Sequence, residues 1–424
     1  MKTQSDASHL QLSAIFRKRS MHNVETADRA LQRFHAWKQP QKKIGFLFIH
    51  EQSHHIPHCA PILNALALQS SNYEIHAFVR KQHNAALLKS LLSPTVLRRL
   101  KLTILKTPAV AKGLEIITSR AVPIERVGAL YANREVLKNM DVIVAPETTS
   151  LLLKTRFGLR NTKFVYTQHG AGDRAVGFDP NISKFDHILV PGEKIQDRML
   201  NDGIIRDGNS SIVGYPKFDI VGLETAKPAR LFDNDNPIVL YNPHFDPSLS
   251  SWFEHGEKVL EFFAERKDYN LIFAPHVMLF TRRLHISTDK SRVMWRRPID
   301  KRFFDCPNIV IDTGSNASID MTYTRAADIY IGDASSQVYE FLHKPGVCIF
   351  LNSHGVDWAG DPNYAHWDLG KVISNPCEID DLLAQHTWLR RFYMERQKTA
   401  FRKTFGDAVT GSASRAAEAL EQFA

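Results

Sequence analysis

Short apolar runs alternate with amphipathic stretches along most of the chain, and they do so in two successive blocks. This alternation constrains the fold more than any other feature. A strand that is apolar throughout must be covered on both faces, and helices lying between parallel strands supply that cover. The first block has candidate strands at Ile44 to Ile49, Tyr73 to Val79, Leu102 to Leu105, Val142 to Ala145, Lys163 to Thr167 and His187 to Val190. The second restarts at Ile238 to Tyr241 and continues with Asn270 to Ala274, Ile309 to Asp312, Asp328 to Ile331 and Val347 to Leu351. Between them lies a looser stretch, Glu224 to Asn236, rich in Lys, Pro, Asp and Asn, which reads as a linker. With 424 residues the chain is too long for one ordinary core. The expected organisation is a leader at residues 1–40, a first Rossmann-like domain at 41–222, a linker at 223–236 and a second Rossmann-like domain at 237–424, with the final helices packing back. The expected class is therefore α/β, two doubly wound domains facing a central cleft. Ligands of open α/β sheets bind beyond the carboxyl ends of the strands, so polar residues just after strands carry the functional interest.

Composition narrows the partners. Hydrophobic residues make up 43% and charged residues 23%, the balance of a water-soluble globular chain. A net charge of +9 favours an acidic partner, whether a phosphorylated substrate, a nucleic acid or an anionic membrane surface. Cys59, Cys306, Cys348 and Cys377 are scattered and form no CxxC pair, so neither a disulfide framework nor a zinc knuckle is indicated, and a reducing cytoplasm is the simplest setting. No apolar stretch reaches the length of a membrane span, which leaves only peripheral contact with a membrane. Leu10, Leu12, Ile15 and Phe16 beside Arg17, Lys18 and Arg19 fit a short basic amphipathic helix or a solvated leader helix.

Several strand ends carry chemistry. Ile329 to Ile331 run as a buried strand into Gly332, Asp333, Ala334, Ser335 and Ser336, after which Val338, Phe341 and Leu342 have helical spacing. A helix beginning there points backbone N–H groups and a positive dipole end at the turn, which favours a phosphoryl group. Ordinary capping by Ser and Asp accounts for the same residues. His169 ends a strand and is followed by Gly170, Ala171 and Gly172, a place from which an imidazole reaches a cleft and takes a hydroxyl proton near neutral pH. His244 and His276 end two strands of the second block in the same way, and Asp312 and Asp333 also end strands. His50, Glu51 and His54 match HExxH, with His55 and His58 close by. Zinc protease chemistry needs both histidines on one helix, whereas these follow a strand and run into Pro57; no metal is expected. His54 and His58 are instead expected to line the cleft.

In their order along the chain these motifs resemble the CDP-glycerol glycerophosphotransferase family, the TagB and TagF type enzymes of teichoic acid synthesis, over about Phe164 to the carboxyl end. His169-Gly170 is similar to the family's WHG element, and Gly214-Tyr215-Pro216-Lys217-Phe218-Asp219 to its GYPRxD element. Leu240 to His244 occupies the place of the YAPTWR strand end, and Ala274-Pro275-His276 that of a donor-site histidine. Asp328 to Ser336 is similar to the SDxLITDYSS segment, and Gly411 to Arg415 to the GxASxR stretch. The resemblance implies a GT-B fold and transfer of a phosphoglycerol or related polyol-phosphate from a CDP-linked donor to an acceptor hydroxyl. It implies His169 as general base and His276 as the group holding the donor pyrophosphate. Gly332, Asp333, Ser335, Ser336, His244, Lys217 and Glu340 would then serve the donor side, and His54, His58, Asp173 and Arg174 the acceptor side. No cofactor beyond the donor is implied. The partners would be a nucleotide-diphosphate donor and a polyanionic or lipid-linked acceptor, met in the cytoplasm or on the inner face of the cell membrane.

The chain also departs from the pattern. Gln168 stands where the family has Trp, Ala171 to Arg174 replace TPLK, and the arginine of PTWR has no counterpart in Asn242 to Asp246. Both differences fall where acceptor and donor are chosen. A GT-B glycosyltransferase and a non-hydrolysing UDP-sugar 2-epimerase are the competing enzyme readings, the latter because Asp333 to Glu340 is faintly similar to DSGGxQEE. A basic nucleic-acid-binding module is the alternative of another class, resting on Arg282-Arg283, Arg296-Arg297 and Lys301-Arg302; no nucleic acid is expected. Lys217 reads as a linker surface residue ahead of a phosphate ligand, and Glu340 equally as part of a solvated helix face.

Overall fold

The computed structural model describes residues 41–51, 53–117, 123–223, 229–287 and 292–424; the expected leader and residues 224–228 of the expected linker lie outside them. The first block builds a parallel sheet from β1 (Lys42–Phe48), β2 (Tyr73–Val79), β3 (Lys101–Ile104), β4 (Val142–Ala145), β5 (Lys163–Thr167), β6 (His187–Val190) and β7 (Ser210–Ile212). Their spatial order is β3-β2-β1-β4-β5-β6-β7. The second block contributes β8 (Ile238–Asn242), β9 (Asn270–Phe273), an antiparallel hairpin of β10 (Leu284–Ile286) and β11 (Val293–Trp295), then β12 (Ile309–Ile311), β13 (Ile329–Gly332), β14 (Val347–Leu351) and β15 (Lys371–Ile373). Its sheet runs β12-β9-β8-β13-β14-β15, again with every pairing parallel. Both orders reverse beside their first strand, between β1 and β4 and between β8 and β13. Those are the two points where a doubly wound sheet opens a crevice.

The sheets form because their strands are apolar on both faces. Every residue of β4, β6, β9 and β14 is buried. Ile44, Phe46 and Phe48 point to one face and pack with Ile56, Ala60 and Leu63 of α1 (Ile56–Gln69). Leu47 and Ile49 point to the other and join Ile143, Phe164 and Ile188. The second sheet repeats the arrangement, with Leu240, Ile272 and Tyr330 on one face and Val239, Leu271 and Ile331 on the other. Four strands had no sequence signal of this kind. β7 is Ser-Ser-Ile with no fully buried residue, β15 buries only Ile373, and the hairpin lies outside both sheets. Gly332, expected in the turn, is the last residue of β13.

Further helices relevant to the cleft are α2 (Glu193–Asn201), α3 (Lys217–Val221), α4 (Trp252–Glu265), α5 (Gln337–Phe341), α6 (His386–Phe405) and α7 (Ser412–Phe423). The last of these returns to the first sheet. Its Ala416, Ala417 and Leu420 are fully buried in the same cluster as Ile56 and Leu63 of α1. Two sequence motifs lock this return. The Asp219 carboxylate accepts the N–H groups of Gly411 and Ala413 at 2.8 and 2.6 Å, supplying acceptors at the start of α7. Arg415 donates to the Val213 carbonyl at 3.1 Å. Gly214 sits at φ +84°, and any Cβ there would run into Ser412 and Arg415, so the crossing needs glycine.

Leu420→Ala is expected to destabilise the protein by about 2–5 kcal/mol, the usual cost of emptying a buried leucine site. Gln422→Ala on the exposed face should leave the urea midpoint in place. Equal midpoints for the two variants would show that α7 is not part of the first domain's core.

Candidate functional site

Loops leaving the carboxyl ends of strands in both sheets meet in one cleft. After β1 the chain makes a 3-10 turn at Ser53–His55 and enters α1, whose first turn contains Pro57, a residue suited to a position whose N–H has no helical partner. The turn brings the ring of His55 to 4.0 Å from that of His169, which follows β5. The His54 ring lies 4.2 Å from His55, 6.0 Å from His169 and 6.4 Å from His276, the residue three beyond β9. His276 in turn lies 5.3 Å from His244, which follows β8, and 4.7 Å from Phe245. Histidines from the two domains therefore face each other across the cleft. His58 stands at the edge of this group, edge-on to Tyr215 at 5.0 Å.

The hydrogen bonds to the rings decide what each can do. His169 Nδ1 donates to the Pro146 carbonyl at 2.8 Å, so in the neutral ring the proton sits on Nδ1 and Nε2 carries the free lone pair. The second-domain histidines are wired the opposite way. The Met278 N–H donates to His276 Nδ1 at 3.3 Å, and the Asp246 N–H donates to His244 Nδ1 at 3.1 Å. Each is thereby left with its proton on Nε2, a hydrogen-bond donor. Burial pushes all three below the ordinary histidine value, His276 to about 4, so the neutral forms prevail near pH 7. The cleft thus sets one base-type nitrogen against two donor-type nitrogens.

Carboxylates behind the histidines hold the loops rather than face the opening. Asp333 is fully buried, and its Oδ2 accepts the N–H groups of His244 and Ser251 at 2.8 and 2.9 Å, while Oδ1 has no partner. Burial pushes this carboxyl up to about 7 against those hydrogen bonds. Asp173, expected on the acceptor side, is also buried. Lys194 donates to its Oδ1 at 2.9 Å, and Oδ2 accepts from Tyr339 Oη at 2.7 Å and from both the backbone N–H and Nδ1 of His366 at 3.0 Å. Burial alone would raise Asp173, but the charge of Lys194 and the bonds from His366 outweigh it and hold the carboxyl well below its usual range. Trp367 Nε1 donates to the Asp333 carbonyl at 2.8 Å and His366 Nε2 lies 3.0 Å from the same oxygen, so one imidazole spans the gap between the His169 loop and the turn after β13.

The remaining expected residues form a second bridge between the domains. Lys217 Nζ donates to both oxygens of Glu340 at 2.7 and 2.9 Å, and Tyr215 Oη donates to Oε1 at 2.9 Å. Both partners are buried, so neither the linker-surface reading of Lys217 nor the solvated-face reading of Glu340 describes them. Arg174 donates to Tyr364 Oη at 3.1 Å. Ser335 Oγ accepts the Gln337 N–H at 3.3 Å, a serine turn just before the helix, and α5 is a single turn of five residues whose N-cap, Ser336, makes no side-chain capping bond. Ser336 packs directly under Gly172, where a Cβ would come within 2.9 Å of the serine's own Cβ. The small residues after His169 are therefore needed for closure of the two domains against each other. His55, His366 and Tyr215 were not among the expected site residues. His366 lies in a 3-10 stretch remote from any strand end, and no local pattern marks it.

Lys217→Met leaves Glu340 buried without its counter-charge and is expected to cost about 3–5 kcal/mol. Adding Glu340→Leu should recover most of that loss in a urea titration; equal losses for single and double variants would refute the pairing. Asp173→Asn is expected to lower stability at neutral pH. A depressed carboxyl contributes stability that is fully present above the unfolded value of about 3.9 and is lost as pH falls through the folded one. The difference between parent and variant should therefore shrink as pH is lowered below about 4. A difference that stays constant down to acid unfolding would contradict the charged role.

Comparison with solved structures places the architecture. Over 96% of this chain and 97% of the other, the fold is similar to the wall teichoic acid polymerase TagF carrying a histidine variant and soaked with CDPG, at 14% identity and a TM-score of 0.59. Over 91% of this chain and 97% of the other it is similar to a UDP-N-acetylglucosamine 2-epimerase from Listeria monocytogenes, at 13% identity and 0.58. The UDP-GlcNAc 2-epimerase from Neisseria meningitidis bound to UDP-GlcNAc gives 13% identity and 0.58, over 90% of this chain and all of the other. No family model matches the sequence, and no curated protein matches it. The fold is α/β with two Rossmann-like domains, of the GT-B type.

Proposed function

We propose that this protein transfers a polyol-phosphate, such as phosphoglycerol, from a CDP-linked donor to a hydroxyl of a polymer or lipid-linked acceptor. The observation that carries the proposal is the opposed wiring of the cleft histidines, with a bare Nε2 on His169 and Nε2–H donors on His276 and His244. Phosphoryl transfer demands little covalent chemistry from a protein beyond positioning, a proton acceptor and stabilisation of charge. His169 Nε2 takes the proton of the acceptor hydroxyl as its oxygen bonds to the donor's distal phosphorus. The bond from that phosphorus to the bridging oxygen breaks, and CMP leaves with the electron pair. His276 and His244 donate hydrogen bonds to the oxygens on which charge accumulates. Their neutral donor form suits this role, because the proton on Nε2 is already in place at pH 7.

Lys217, Glu340 and Asp173 act in this reading through position. They fix the two sheets and the His169 loop, and a misplacement of about 1 Å in such a loop is enough to cost about a hundredfold in rate. Gly332 and Ser335 shape the turn that carries Asp333, and Ser336 meets the His169 loop. The net charge of +9 suits a polyanionic acceptor and an anionic membrane face, where a lipid-linked acceptor would be met. Among the described residues no helix is long and apolar enough to cross a membrane.

The test is calorimetric titration with CDP-glycerol, CDP-ribitol and UDP-GlcNAc at one salt concentration, followed by transfer assays. Binding of a CDP-polyol is expected; selective binding of UDP-GlcNAc would move the assignment to nucleotide-sugar chemistry on the same frame. His169→Ala should abolish transfer and leave donor affinity close to that of the parent. His276→Ala should weaken donor binding as well, by about tenfold if a charge-assisted hydrogen bond worth about 1.5 kcal/mol is lost. Parental activity in either variant would remove that residue from the mechanism.

A further inference from the structure

The loop after β1 holds more imidazole than acceptor contacts require. One ring nitrogen from each of His50, His54 and His55 lies within 4.8 Å of the others. The ring centroids are 4.9 Å apart for His50 and His54, 4.6 Å for His50 and His55, and 4.2 Å for His54 and His55. A zinc-protease helix is not the cause, because Ser53–His55 form a 3-10 turn; the turn folds His54 and His55 back over His50 by a different route. His55 is 4% exposed, and its Nδ1 is buried with no hydrogen-bond partner, as are Nδ1 of His54 and, in the helical turn that follows, of His58. A buried ring nitrogen without a partner costs free energy on the order of 1–3 kcal/mol, and two neighbouring ones need a shared explanation.

We propose that His50, His54 and His55 form a three-imidazole site for a divalent transition-metal ion of the zinc class. Nitrogen ligands around a tetrahedral zinc ion lie about 3.4 Å apart, given Zn–N distances of about 2.0–2.1 Å. Reaching that distance from the present spacing requires the three rings to turn toward a common centre. A set made only of imidazoles favours Zn2+, Co2+, Ni2+ or Cu2+ and offers nothing to Mg2+ or Ca2+, which prefer oxygen. Three protein ligands leave a coordination position open to solvent or substrate, the arrangement of reactive rather than purely structural sites. The ion would sit beside His169, whose ring is 4.0 Å from that of His55, and would fix the loop next to the proposed base.

The site is tested with the metal alone. Full-length protein stripped with a chelator is titrated with Zn2+ by calorimetry and with Co2+ by visible absorption, while donor binding is measured separately on the metal-free protein. Expected are one ion per chain and the intense ligand-field bands of tetrahedral Co2+. His54→Ala and His55→Asn should each weaken binding by more than about tenfold, the loss seen when even an outer partner of a metal site is removed. His285→Ala, a buried histidine outside the cluster, should bind as the parent does, and circular dichroism reports whether each variant is folded. Absence of stoichiometric binding, a preference for Mg2+, or folded cluster variants that bind zinc as the parent does would each overturn the proposal. None of these results bears on the CDP-polyol reading, which stands or falls on the donor titration.

Discussion

Charge buried between the two domains is the constraint on which the rest of this structure depends. Removing an ion from water is costly, and a carboxylate in an apolar seam survives only where other groups replace its hydration. Asp173 meets that condition with Lys194, Tyr339 and two N–H groups of His366, and three of those four contacts come from the second domain. Glu340 meets it with Lys217 and Tyr215 from the first. Each domain thus supplies a carboxylate whose partners lie mostly or wholly in the other domain. The seam specifies one relative placement of the sheets, since sliding either of them would strand a charge.

That placement explains how residues distant in sequence act on one another. The loop after β5 is anchored through Asp173 four residues beyond His169, and Gly172 allows it to lie against Ser336. His366 carries the linkage onward to the carbonyl of Asp333, whose side chain holds the backbone of His244. Hydrogen bonds joined by short stretches of backbone therefore connect the loop of the base-type histidine in the first domain to a donor-type histidine of the second. Around the rings themselves the protein supplies backbone groups, not counter-charges. A carbonyl fixes the proton of His169, while amide N–H groups fix those of His244 and His276, and burial discourages a second proton on any of them.

Most of the scaffold was legible from the sequence because its strands are apolar and covered on both faces, so that short runs of apolar residues betray them. β4, β5 and β14 occupy the residues their apolar runs delimit. β7 and β15 were not legible, since short edge strands with polar residues gain their structure from a neighbour's free hydrogen bonds rather than from their own burial. The strand-end histidines could be picked out as candidates because topology alone places strand ends at a crevice. His366 could not, as its importance comes from two acceptors that lie far from it in sequence. The serine turn after β13 left a phosphate cradle and ordinary capping as open readings, because both use the same residues; the contact with Gly172 is invisible until both domains are in place.

The sequence by itself determined the α/β class, the repetition of a doubly wound unit and the set of polar side chains delivered to the sheets' carboxyl ends. These follow from local burial patterns and from chain connectivity, which operate within each half separately. Only the tertiary structure decided that Lys217 and Glu340 neutralise each other, that α7 completes the core of the first domain, and which nitrogen of each cleft histidine carries the proton. Those outcomes depend on contacts between residues more than a hundred positions apart or on the direction of a single backbone group. No local pattern encodes either, because the energies involved arise only when the two sheets exclude water from the space between them.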